Sequence, residues 1–313
     1  MSESVEDKLD KIPVINVIVR FFKQIKLPGL EGLSFYNLLE LYITGIVRGA
    51  LTTRASAIAF SFFTAIFPFL LFVLIIIPYV PIDDFKIEFQ QFLQSFLPPS
   101  TSDFFFQNIF ENIDQTQRGG LLSSVFVLSI ALMANGVNAV FSGFENSYHE
   151  QLTRNVFKQY MYALSIALIL AFLLIITIIV LGYIQIYVVQ ELLHVLEDRG
   201  YQVDNDGVFW TNVVKYLFFV VMVYIATATL YYFGTREGRH SKFFSVGALF
   251  TTLLIILTSY LFGIYIENFG QYNKLYGSIG ALLILLFYLW LNANILLLGY
   301  ELNASLNKLR KQC

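Results

Sequence analysis

Arg54, Glu145 and Glu301 each stand at the end of a long apolar run, where an ionisable side chain is costly unless it is paired or hydrated. Such residues suit two kinds of chemistry. They attract and pass a charged group along a path, or they pair with one another and lock elements together; the sequence leaves both open. Ser61, Thr64 or Ala65, and Pro68 follow Arg54 on one helical face. A proline there cannot donate to the carbonyl of Thr64, so the helix bends or loosens. A polar face with a proline suits a helix lining a cavity, although membrane helices also tolerate structural prolines. Asn135 and Asn138, with Gly136 between them, interrupt a second run, and Asn292 and Asn294 a third. Asn294 shares a face with Glu301. Amides in such surroundings bond to neighbouring helices or offer neutral hydrogen bonds to a passing headgroup.

Other chemistries lack their residues. His149, His194 and His240 fall in three separate loops, His194 on the opposite side from the other two, so no metal site forms from them. There is no nucleophile-elbow spacing, and no glycine-rich phosphate loop to bind ATP. A hydrolytic nuclease needs clustered carboxylates for Mg²⁺ or a His pair; Glu145 and Glu150 are the nearest carboxylate pair in the middle loop. The single cysteine, Cys313, excludes an internal disulfide framework. The reading is of a protein that is not an enzyme, with no catalytic residue, cofactor or metal, and with no nucleic-acid partner.

The elements that must position these residues are plain. Six apolar runs, about 55–80, 121–144, 162–189, 213–233, 243–266 and 279–300, each hold the roughly 20 residues that a helix needs to cross about 30 Å of hydrocarbon. With 57% hydrophobic and 13% charged residues, against about 25% charged in soluble domains, the chain is read as all-α: a polytopic membrane protein with six transmembrane helices. Of the 20 Lys and Arg, only Lys86, Arg118, Arg199, Lys215 and Lys274 fall on the side away from the termini. That bias places both termini in the cytoplasm. The opening MSESVEDKLD has no apolar leader region, so the first span is expected to direct insertion.

Residues 1–33 form an N-terminal amphipathic segment, 34–306 the six-span domain and 307–313 a cytoplasmic tail. From Ile12 to Lys26, Ile15, Ile18, Val19, Phe22 and Ile25 recur at helical spacing opposite Arg20 and Lys23, which predicts a basic helix on the anionic leaflet or against the bundle. Ser34 is an expected N-cap for a second interfacial helix reaching Thr53, with Leu38, Leu41, Ile46 and Leu51 on its apolar side. Arg236, Arg239 and Lys242 crowd one cytoplasmic turn and are candidate headgroup contacts; setting topology explains them as readily. The outer segment 81–118 reads as two short helices around Pro98-Pro99.

The stretch LFGIYIENFGQYNKLYGSIGALLILLFYLWLNANILLLGYELNAS, at 261–305, closely resembles the C-terminal signature of the YihY/BrkB inner-membrane family, once labelled ribonuclease BN. RASAIAFSFFTAIFPFLL at 54–71 and GGLLSSVFVLSIALMANGVNAVFSGFENSY at 119–148 support it, and the likeness covers nearly all of residues 30–306. It is weakest in the outer loop and the N-terminal segment. The resemblance implies a six-span protein of the bacterial inner membrane, with links to the cell envelope, virulence and lipid or lipopolysaccharide handling. It also implies that the ribonuclease label is a misassignment. The motif positions it carries over are Arg54, Ala57, Phe60 and Pro68, then Tyr276, Gly277, Ser278, Gly280, Glu301 and Asn303. Ser278 could cap the last helix, whose free N–H groups would receive an anionic oxygen, and Tyr276 belongs to an aromatic set at headgroup depth.

Two functions follow as expectations. One is a transporter or flippase of an anionic lipid, glycolipid or other envelope amphiphile, along a path between the first and sixth spans. The other is a non-transporting scaffold for envelope biogenesis. Membrane lipids are the expected partners, and a homo-oligomer stays open.

Overall fold

The computed structural model describes residues 21–26, 34–48, 50–76, 119–145, 156–183, 205–235, 242–269 and 278–312. The outer segment 81–118, the helix expected before residue 21, Glu150, the three histidines, Arg236, Arg239 and Tyr276 lie outside the described residues. Among the described residues seven helices stand out: α1 (Phe35–Arg48), α2 (Leu51–Ile76), α3 (Gly119–Glu145), α4 (Val156–Tyr183), α5 (Asn205–Gly234), α6 (Val246–Phe269) and α7 (Ser278–Gln312). Five segments of these are long and apolar enough to cross a membrane: Val127–Glu145, Phe157–Leu181, Val213–Gly234, Val246–Ile266 and Leu282–Leu309. Helices are what such runs must form, because hydrocarbon offers no partner to a backbone N–H or C=O.

Each helix from α2 to α6 packs on the next in sequence, and α7 packs on both α6 and α2, so the six close into a ring. Ile58, Val140, Phe141, Phe144 and Leu297 fill its interior, fully buried, with Ala55, Ala134, Ala163, Ala228 and Ala293 among the small residues between them. Small side chains let helix backbones approach closely where no water drives association. The outward faces are as apolar as the core, with Phe172 of α4, Leu217 of α5 and Leu253 and Leu257 of α6 all exposed. A lipid-facing surface has that character.

Three helix ends show how local chemistry sets the boundaries. Ser34 caps α1: its Oγ accepts from the Asn37 N–H at 3.4 Å. The helix expected to run to Thr53 stops at Arg48, because Ala50 adopts φ 46°, a left-handed conformation that no helix continues through. The Ala50 carbonyl then accepts from the Thr53 and Arg54 N–H groups and starts α2 at Leu51, four residues before the apolar run begins. Ser245 caps α6, its Oγ accepting from the Ala248 N–H at 3.2 Å, so α6 starts at Val246 rather than Phe243. At the other end of the chain α7 continues through the expected tail to Gln312. The extension is useful: Leu309 and Leu38 are buried, with the half-buried Leu302 and Leu306 packed against them, which seats α1 on α7. The N-terminal strand of chain is pinned there too, with the Phe35 N–H donating to the Ile25 carbonyl at 2.9 Å and the Phe22 and Phe35 rings 5.2 Å apart.

Candidate functional site

Arg54 lies in the first turn of α2 and Glu301 on α7, at the end of the bundle where α2 begins. Their side chains meet inside it: Arg54 Nη2 donates to Glu301 Oε1 at 2.9 Å, with Arg54 8% and Glu301 0% exposed. Arg54 Nη1 donates to the Gly143 carbonyl of α3 at 2.7 Å. That carbonyl is reachable because Gly143 carries no side chain; a Cβ there would press on Ile58 of α2 and Leu297 of α7. One guanidinium thus ties three helices. Glu145, two residues further along α3, is also buried at this end, 2% exposed. Above it the Phe144 and Tyr300 rings stack 4.2 Å apart.

A second polar knot joins α5, α6 and α7. Tyr231 of α5 donates its hydroxyl to the Leu296 carbonyl at 2.6 Å, which leaves the Thr251 hydroxyl, also 2.6 Å away, to donate to the Tyr231 oxygen. The backbones of α6 and α7 touch beside it. A Cβ on Gly299 would overlap Thr251 Oγ1, and one on Gly247 would overlap the Gly299 carbonyl. Asn303 completes the crossing: its Oδ1 accepts from the Gly247 N–H at 2.8 Å and its Nδ2 donates to Ser245 Oγ at 2.8 Å. An orphan N–H in the first turn of α6 is thereby satisfied from α7.

The remaining expected path residues do not converge on this end. Asn292 and Asn294 each donate to the carbonyl four residues back, Tyr288 at 2.9 Å and Trp290 at 2.7 Å. Thr64 donates to the Ser61 carbonyl at 3.0 Å, and both are half-buried. The Pro68 carbonyl accepts from Ser129 of α3. Asn138 is half-buried and Asn135 exposed. Ser278 is the first residue of α7, and Lys242 is exposed just before α6. Among the described residues no group of three or more His, Cys, Asp or Glu is placed to hold a metal ion.

Tyr231, Thr251, Gly143 and Tyr42 were not singled out from the sequence. A glycine or threonine inside an apolar run is the available signal for a close helix crossing. Tyr42 had none, since its role depends on α1 folding back over α7. There, burial first and the Glu301 charge second push its hydroxyl up to about 12.

The sequence model of the family described as virulence factor BrkB matches residues 43–312, which takes in α2 to α7 and both polar knots. The chain belongs to that family. A BrkB relative, the ribonuclease-like protein YfkH of Bacillus subtilis (strain 168), is 25% identical over 263 residues, covering 83% of this chain and 91% of that protein. A UPF0761 membrane protein of Psychrobacter sp. (strain PRwf-1) is 29% identical over 133 residues, 42% of this chain and 24% of its own length. Another, from Xanthomonas axonopodis pv. citri (strain 306), is 38% identical over 66 residues, 21% of this chain and 16% of its own. No solved structure matches this BrkB chain. It is an all-helical integral membrane protein.

Proposed function

We propose that this BrkB protein moves an anionic amphiphile, a phospholipid or an envelope glycolipid, along the seam between α2 and α7. In this reading α2 is a sixth crossing, both termini are cytoplasmic, the membrane is the bacterial inner membrane, and the protein is not a nuclease. The buried Arg54–Glu301 pair carries the proposal. Two charges taken out of water recover their desolvation cost poorly, so a buried pair is weak as a stabilising device and better explained as a switch. A phosphate or carboxylate headgroup matches the guanidinium fork as well as Glu301 does. Entering from the cytoplasmic leaflet, it takes Arg54 from Glu301, which then needs a proton or water. The exchange gives two states: a closed seam with the pair intact, and an open seam with the headgroup on Arg54.

The test is lipid flipping in proteoliposomes made with a dye-labelled anionic lipid. Arg54→Gln alone conflates lost function with lost folding, so the informative variant is Arg54→Gln with Glu301→Gln, which replaces the ion pair by a neutral hydrogen-bonded pair. Flipping should be lost while the protein stays folded and abundant. Wild-type flipping in that double variant would sink the proposal. The scaffold reading draws on a different observation, the α1 platform held on α7 with Phe21, Ile25 and Ile43 exposed beside Lys23 and Lys26. Loss of function on removing residues 1–30, with flipping intact, would favour it.

A further inference from the structure

A cavity of about 190 Å³ opens between α2, α3 and α4. Ala65 and Phe62 of α2, Met133 of α3, and Ala167, Ala171 and Leu174 of α4 are among the residues that line it. Every lining side chain is apolar, so water gains no hydrogen-bond partner there. An apolar void of about 150 Å³ already stays dry and takes up a hydrocarbon. The three alanines create the room: at each of these positions a Leu or Phe would occupy it. The cavity is continuous with the lipid-facing surface, because Leu174 both lines it and is 40% exposed, beside Phe172 at 65%. Its occupant therefore comes from the bilayer and is a hydrocarbon chain.

Its position relative to Arg54 makes it more than a generic lipid groove. Arg54 and Ala65 lie eleven residues apart on α2, close to three full turns, so they share a face. At 1.5 Å per residue they are separated by about 16 Å along the helix. One leaflet's hydrocarbon is about 15 Å deep, half of a core of about 30 Å. A lipid whose headgroup engages Arg54 would thus carry the far part of a tail to the depth of this cavity.

We infer that the α2–α3–α4 cavity is the tail site of the amphiphile whose headgroup Arg54 receives, holding the distal half of one acyl chain. The inference rests on the headgroup reading above for its link to Arg54, and on the cavity alone for its hydrocarbon occupant. Its substrate class is then an anionic acyl lipid, as opposed to a soluble phosphate.

The experiment uses the full chain in nanodiscs of phosphatidylethanolamine and phosphatidylglycerol, with a trace of phosphatidylglycerol bearing a diazirine in the distal half of one chain. After irradiation, adducts are mapped by peptide mass spectrometry. Adducts should concentrate on Met133, Leu170 and Leu174 over the equally apolar, exposed Leu253 and Leu257 of α6. Ala171→Phe or Ala65→Leu should each cut the cavity adducts about tenfold, the effect of evicting roughly two methylenes. Labelling spread evenly over α4 and α6 in the wild type overturns the tail site, whatever the variants do. So does unchanged cavity labelling in a folded Ala171→Phe protein. The two readings fail separately. Even labelling together with flipping lost in the Arg54→Gln, Glu301→Gln variant removes the tail site and keeps the headgroup site. Concentrated labelling with flipping retained in that variant cuts the link to Arg54 and so overturns the assignment to a transported lipid.

Discussion

A guanidinium buried among apolar helices is costly without hydrogen-bond partners, and Arg54 draws them from α3 and α7 at once. Removing one member of such a pair strands the other in a medium that cannot solvate it. Arg54→Gln should therefore destabilise the protein by about 3–5 kcal/mol, and adding Glu301→Gln should recover most of that loss. Unfolding of the three proteins in a mild detergent checks this; a double variant no better than the single one would contradict it. Tyr42 reports on the same charge from outside the spans. Its hydroxyl is raised from 10.0 to about 12, by burial and then by Glu301. Because the folded state holds the proton more tightly, the contribution of Tyr42 to stability is complete below about pH 10 and fades as pH rises from 10 through 12. Glu301→Gln should shift the Tyr42 phenolate transition downward, read by ultraviolet absorbance as the component that Tyr42→Phe removes. Arg54 and Glu301 were both legible as costly ionisable residues, since their types alone say so. An ion pair of Arg54 with Glu145 or Glu301 was one of the two readings left open; that Glu301 takes the Arg54 hydrogen bond was not legible, because 247 residues separate the two and no local pattern joins them.

At the scale of helices, the crossing of α6 and α7 is set by two glycines and the hydroxyls beside them. Gly299→Ala would drive a methyl into Thr251 and toward Tyr231, so either the crossing widens or the Tyr231 bonds break. A loss of about 3 kcal/mol is expected, as for overpacking joined to a broken buried hydrogen bond. Gly263→Ala on α6 meets nothing within 4 Å and should lose no stability. Thermal unfolding of the two variants side by side checks the contrast, and equal losses would show that the crossing is not tight. The apolar periodicity of the chain set element type well, because a long apolar run has one way to satisfy its backbone in hydrocarbon. It placed the ends less well. Ser34 was legible as a cap, since its side chain does the capping. The break at Ala50 was not, because an alanine carries no signal for a left-handed φ and the residues around it are ordinary helix formers.

For the molecule as a whole, the ring α2 to α7 places the starts of α2, α4 and α6 and the ends of α3, α5 and α7 at one end, with both polar knots. In the proposed reading that end faces the cytoplasm, the side that the Lys and Arg bias favours. Cys313 is the single cysteine of the chain and makes a native probe of the orientation. A membrane-impermeant maleimide should label it in inverted membrane vesicles and leave it unlabelled in spheroplasts. The reverse pattern would turn the molecule over, and would put Arg54 at the outer mouth.

Composition, run length and the family likeness of the chain were enough to determine an all-helical membrane protein of the BrkB family, because burial in lipid is a demand each segment meets by itself. Which polar residues meet was decided only in three dimensions. Asn303 took up the Gly247 N–H in the first turn of α6 and Asn294 made a bond within its own helix, whereas Arg54 and Glu301 found each other. The apolar cavity was invisible for the same reason: three alanines on α2 and α4 make a void only when those helices lie side by side. Local periodicity states which face of a helix is polar or small, and packing alone states what that face meets.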